Sequence, residues 1–86
     1  MANVVVYSSN YCPYCIRAKQ LLNSKNIAFE EINVDGEPEI RQQMTEKSGR
    51  RTVPQIFIND AAIGGCDDLY ALEATGQLDK LLTEGF

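Results

Sequence analysis

Val4-Val5-Val6-Tyr7-Ser8-Ser9-Asn10-Tyr11-Cys12-Pro13-Tyr14-Cys15 is the stretch on which the fold turns. Its first four residues are β-branched or aromatic, a short run that predicts a buried strand. Ser8-Ser9-Asn10 has turn chemistry. Pro13 then suits the first position of a helix, where its missing N–H leaves no bond unmade. That helix is expected from about Pro13 to Ser24, with Ala18, Leu21 and Leu22 in its apolar stripe. Two cysteines three residues apart therefore sit where a strand gives way to a helix.

This placement carries chemistry. At the N-cap, the Cys12 sulfur can face the unpaired N–H groups of Tyr14 and Cys15. Those donors and the positive helix end favour the thiolate, which is the nucleophilic form. The helix end alone supplies about 0.3–2 kcal/mol, so direct N–H···S bonds have to provide much of the remainder. Cys15, one turn further on, has its sulfur on the same face, near enough for a disulfide and shielded by the helix. Cys12 is thus expected to attack and Cys15 to resolve. An inert or metal-binding pair is the rival reading, and the strand–Cys-Pro-Tyr-Cys–helix setting argues against it.

Composition narrows the field. The 86 residues are expected to form one domain, 1–86, and the 44% hydrophobic and 23% charged content is ordinary globular usage. A formal charge of −4 argues against nucleic acid and against an anionic membrane surface as partners. Arg50-Arg51 is the only tight cationic pair, sized for a small anionic ligand. No apolar run approaches the roughly 20 residues that span a bilayer. The start, Met1-Ala2-Asn3-Val4, lacks a basic region followed by an apolar one, so a cytoplasmic location is expected. Three cysteines are too few for a disulfide scaffold. The absence of histidine removes Ser-His-Asp and Cys-His catalysis and every Cys/His zinc pattern, so no metal site is expected.

Downstream, Ala28 to Val34 alternates in part and predicts a second strand, broken by Asp35-Gly36. A second helix is expected from Glu37 to about Ser48, carrying Ile40 and Met44 four apart and stopped at Gly49. Gln55-Ile56-Phe57-Ile58 reads as a third strand. Asn59-Asp60 turns the chain into a fourth, Ala61 to Ile63. A helix starting near Asp67 follows Gly64-Gly65, with Leu69 and Leu72 inward. Gly76 separates it from a last short helix bearing Leu78, Leu81 and Leu82. The order β-α-β-α-β-β-α-α defines an α/β chain. Its first unit is expected to be parallel and its last two strands an antiparallel hairpin. The result is a four-stranded mixed sheet flanked by helices, a thioredoxin-like fold.

Three motifs in order and spacing make the chain resemble the bacterial dithiol glutaredoxins: Cys12-Pro13-Tyr14-Cys15, Thr52-Val53-Pro54, and Gly64-Gly65-Cys66-Asp67-Asp68. The resemblance covers essentially the whole chain. It implies a cis Val53–Pro54 bond, with Val53 pairing like a strand with the cysteinyl part of glutathione. It implies glutathione contacts from Tyr14, Arg51, Thr52, Val53, Pro54, Gly65, Cys66, Asp67 and Asp68. Within that set, the helix start at Cys66-Asp67 offers donors to the γ-glutamyl carboxylate, the Asp67 side chain accepts from the ammonium, and Asp68 shares that role. Arg51 is the candidate for the glycyl carboxylate. Against this, both aspartates can simply complement the helix dipole, and Arg51 can be a solvated surface charge. Cys66 is expected to matter through its backbone N–H, with oxidation as an alternative role. One departure stands out: family members usually carry a lysine three residues before the first cysteine, and here that residue is Ser9.

The activity implied is glutathione-dependent reduction of protein disulfides and glutathione mixed disulfides by a monomer. Glutathione serves as reducing co-substrate, and no bound cofactor is needed. Two other readings are a reductant served by thioredoxin reductase and a protein binding an iron–sulfur cluster through Cys12 and glutathione. The Pro-Tyr between the cysteines disfavours both; the absence of tryptophan before the pair and the Gly-Gly-Cys-Asp-Asp segment further disfavour the first.

Overall fold

A computed structural model describes residues 3–84. Strand β1 (Val4–Ser8) leads into helix α1 (Pro13–Ser24), followed by β2 (Glu30–Asn33) and α2 (Pro38–Ser48). Strands β3 (Gln55–Ile58) and β4 (Ala61–Gly64) come next, then α3 (Cys66–Thr75) and α4 (Gln77–Glu84). The sheet order is β2-β1-β3-β4, with β1 parallel to β2 and antiparallel to β3, and β3 antiparallel to β4. This is the expected mixed sheet and the thioredoxin-like fold.

Alternation along the strands divides the apolar residues between two faces. Val4 and Val6 of β1 and Ile56 and Ile58 of β3 point one way, into a core shared with α1, α3 and α4. Ala18, Leu21 and Leu22 supply the α1 side of that core, Leu69 the α3 side, and Leu78 and Leu82 the α4 side. On the other face Tyr7 and Phe57 meet Val34 and Met44, with Ile40 packed against them. Tyr7 and Phe57 touch edge to face, with ring centroids 5.5 Å apart. Each buried aliphatic side chain contributes about 1.5–3 kcal/mol.

The punctuation residues act as their chemistry predicts. Asn59 and Asp60 adopt φ of 51° and 67°, the left-handed pair that a two-residue hairpin turn requires. Gly49 closes α2 at φ 77°, its N–H donating to the Thr45 carbonyl.

Several boundaries differ from expectation: β2 ends at Asn33 rather than Val34, α2 begins at Pro38 rather than Glu37, and β4 runs to Gly64 rather than Ile63. Ser8, read as turn, ends β1 instead, because Asn33 pairs with it and the Val34 N–H donates to its carbonyl at 2.9 Å. Strand β2 begins at Glu30, not Ala28. Phe29 packs against the α1 core but precedes the first paired residue. Helix α3 starts at Cys66, one residue early, since the Asp68 carboxylate caps it by accepting the Gly65 N–H at 2.9 Å. Among the described residues no helix is long and apolar enough to cross a membrane.

Candidate active site

Cys12 is the N-cap of α1, with extended backbone (φ −122°, ψ 103°) and Pro13 at the first helical position. Its Sγ accepts the Cys15 N–H at 3.1 Å. The third helical residue is one of the two that a capping side chain ordinarily reaches. The expected second donor, Tyr14, makes no such bond. The Cys12 thiol in turn faces the Val53 carbonyl at 3.7 Å, and Val53–Pro54 is a cis peptide bond. Cys12 is 9% exposed, more sheltered than a sulfur at a bare helix end. The Val53 carbonyl stands over it.

Cys15 is fully buried. Burial pushes its thiol up to about 12, aided by the hydrogen bond with Cys12; the Ser9 backbone and the Lys19 charge pull the other way. The two sulfurs thus have different surroundings. One sits at a helix end beside a groove, and the other is sealed beneath it and held protonated at neutral pH. Both are unbridged.

Beside Cys12 lies a groove of about 190 Å³ lined by Tyr14, Arg50, Thr52, Val53, Pro54, Gly65, Cys66, Asp67 and Asp68. Three segments distant in sequence meet here. Tyr14 projects from the first turn of α1 and is 55% exposed. The Thr52-Val53-Pro54 loop forms one wall and the start of α3 the other. These walls approach closely: a Cβ at Gly65 would lie 3.4 Å from the Pro54 carbonyl oxygen. At Gly64, with φ 119°, a Cβ would collide with the Asp68 carboxylate. Asp67 is exposed at the groove. Asp68 instead turns back onto its own helix end and also accepts from Arg50 Nη1 at 2.9 Å. The Gly65 N–H first, then Arg50, hold its carboxyl below the usual aspartate value. Burial pushes the Cys66 thiol up. Among the described residues no three Cys, Asp or Glu side chains gather as a metal-ligand set.

The structure brings eight of the nine expected contact residues onto one groove and leaves Arg51 off it. Arg51 lines a separate hollow with Pro38, Arg41, Gln42 and Thr45, and its carbonyl accepts from Arg41 Nη1 at 2.9 Å. Arg50 occupies the groove instead. Arg50 is held there by Asp68 at the start of α3, while the Arg51 carbonyl is held by Arg41 of α2. No local pattern separates two adjacent arginines, so the sequence carried no signal for this choice.

A strand–Cys-Pro-Tyr-Cys–helix on a mixed four-stranded sheet, with a cis-proline loop facing the first sulfur, defines a thiol–disulfide oxidoreductase of thioredoxin-like fold. The chain belongs to the glutaredoxin family: the family model described as Glutaredoxin matches residues 4–63. It is 58% identical over 82 residues to glutaredoxin 3 of Escherichia coli K12, covering 95% of this chain and 99% of that one. It is 55% identical over 83 residues to a glutaredoxin of Pseudomonas aeruginosa, covering 96% and 99%. The solution structure of a glutaredoxin from Brucella melitensis superposes with a TM-score of 0.89 at 53% identity, covering 100% of this chain and 94% of that one. The crystal structure of a buckwheat glutaredoxin–glutathione complex gives a TM-score of 0.90 at 36% identity, covering 98% and 79%.

Proposed function

We propose that this glutaredoxin reduces glutathione mixed disulfides and protein disulfides, with Cys12 as nucleophile, Cys15 as resolving thiol and glutathione as the electron source. The observation that carries this reading is the asymmetry of the two thiols: Cys12 accepts a helix N–H beside a groove, and Cys15 is buried and protonated. Only the first is placed to begin an exchange.

In the monothiol route the Cys12 thiolate attacks the glutathione sulfur of a glutathionylated protein. The S–S bond breaks, the protein thiolate leaves and takes a proton, and Cys12 holds glutathione as a mixed disulfide. A glutathione thiolate then attacks the bound glutathione's sulfur, releasing glutathione disulfide and restoring Cys12. In the dithiol route Cys12 attacks a protein disulfide. Cys15 loses its proton and attacks the Cys12 sulfur, expelling the reduced protein, and two glutathiones reopen the Cys12–Cys15 bond.

Glutathione lies in the groove with its cysteinyl backbone along Val53, Tyr14 and Pro54 packing on it, and Thr52 and Gly65 shaping the walls. Its γ-glutamyl carboxylate takes the N–H donors at Cys66 and Asp67, and its ammonium the Asp67 side chain. Arg50, rather than Arg51, supplies the cation for the glycyl carboxylate. Asp68 acts mainly by capping α3 and orienting Arg50. The 86 residues work as one cytoplasmic, monomeric domain; this is supported by their composition and by thiols that need a reducing milieu to stay open.

The test is glutathione-dependent reduction of a small glutathione mixed disulfide by wild type, Cys12→Ser and Cys15→Ser. Cys12→Ser is expected to lose all turnover. Cys15→Ser keeps the monothiol route and loses dithiol reduction of a protein disulfide. Complete inactivity of Cys15→Ser toward the small substrate would refute these roles.

A further inference from the structure

Gln55, the first residue of β3, is 1% exposed. It is paired with Tyr7 across the sheet, and strand alternation puts it on the same face as Phe57. Its Nε2 donates to the Thr52 carbonyl at 3.0 Å and to Thr52 Oγ1 at 3.2 Å. A carbonyl only accepts, so the amide nitrogen and not the oxygen must face it, which fixes the orientation of the side chain. Oε1 is then left buried without a hydrogen-bond partner, the only side-chain atom in that condition among the described residues. An orphaned buried acceptor is destabilising, and an apolar side chain of the same shape would remove it. The neighbours Ile56, Phe57 and Ile58 are all apolar.

Thr52, which Gln55 holds, lines the groove. The next carbonyl along the chain, that of Val53, faces the Cys12 sulfur. We propose that Gln55 is a positioning residue for the exchange reaction. Its amide fixes the Thr52–Val53 backbone from behind, so that this wall of the groove keeps one alignment toward Cys12 and the incoming tripeptide. The unpaired oxygen is the penalty retained for that hold. The inference rests on the reading of the groove as the glutathione site.

Gln55→Met keeps the length of the side chain, removes the donor and removes the orphan. In the reduction of a small glutathione mixed disulfide, its KM is expected to rise about fivefold, the worth of one ordinary hydrogen bond, with kcat changing less than about twofold. Its thermal midpoint is expected to equal or exceed that of wild type, because Thr52 is exposed and its freed carbonyl can take water. Gln55→Glu adds a pH signature. Protonated, its carboxyl donates to the Thr52 carbonyl; ionised, it repels it. The ratio of its KM to that of wild type should therefore climb between about pH 6 and 8. An unchanged KM in Gln55→Met, or a KM that rises only together with a lowered thermal midpoint, overturns the proposal in favour of a plain structural brace. A wild type that fails to turn over the substrate overturns the functional reading itself, so the two failures are distinguishable.

Discussion

At the scale of single residues, the two active-site thiols share a helix turn and differ in solvation. Cys15 carries a stability consequence of its own. Its folded value lies near 12 against a reference of 9.0, so the native state binds its proton more tightly than the unfolded chain does. The stabilisation is complete below about pH 9 and drains away as pH rises toward 12. Wild type should lose urea resistance more steeply across that window than Cys15→Ser, whose hydroxyl does not ionise. Parallel slopes for the two proteins would contradict the assigned burial. Cys15, kept as the thiol at neutral pH, is also kept from attacking first, since the thiolate and not the thiol attacks.

At the scale of elements, the site depends on two junctions, β1 to α1 and β4 to α3. The first holds Cys12 through the cap, and the second holds the α3 wall of the groove through Asp68. Gly64 is the sensitive position of the second junction. Its φ of 119° is strained for any side chain, and an added Cβ meets the very carboxylate that caps α3. Gly64→Ala is expected to lower stability by about 1–3 kcal/mol. It should also raise the KM for the glutathione mixed disulfide, because the helix start must shift. Circular dichroism melting and steady-state kinetics check both parts; a variant with wild-type KM would remove this junction from the binding argument.

At the scale of the whole molecule, the α1 side of the sheet bears more of the core than the α2 side. Helix α4, which takes no part in the groove, inserts Leu78 fully buried into that core. Lys25 at the end of α1 bonds both Glu73 of α3 and Asp79 of α4 at 2.7 Å, tying the three helices on that face. A chain of this length has a stability of about 4–13 kcal/mol, and Leu78→Ala should remove about 2–5 kcal/mol of it. The expected result is a melting midpoint lowered by 8 °C or more, at about 4–8 °C per kcal/mol. A shift of only one or two degrees would mean that α4 is peripheral to the fold.

The local patterns were legible because local physics writes them. The β-branched run before Cys12, proline at the first helical position, glycine at the end of α2 and Asn59-Asp60 at the hairpin each act within a few residues. From them followed the element order, the thioredoxin-like fold, the placement of the cysteine pair and, with the family motifs, most of the groove. Other features lay beyond the sequence because they depend on what folds back from elsewhere. Arg50 rather than Arg51 enters the groove because Asp68 of α3 holds the Arg50 side chain, while Arg41 of α2 holds the Arg51 carbonyl. The Val53 carbonyl closes over Cys12 from 41 positions away, and Arg50 reaches Asp68 across 18. Sequence alone determined which elements form and where the sulfurs sit on them. Tertiary structure decided which neighbouring polar atoms each one meets, since those contacts join residues tens of positions apart whose distances no local pattern encodes.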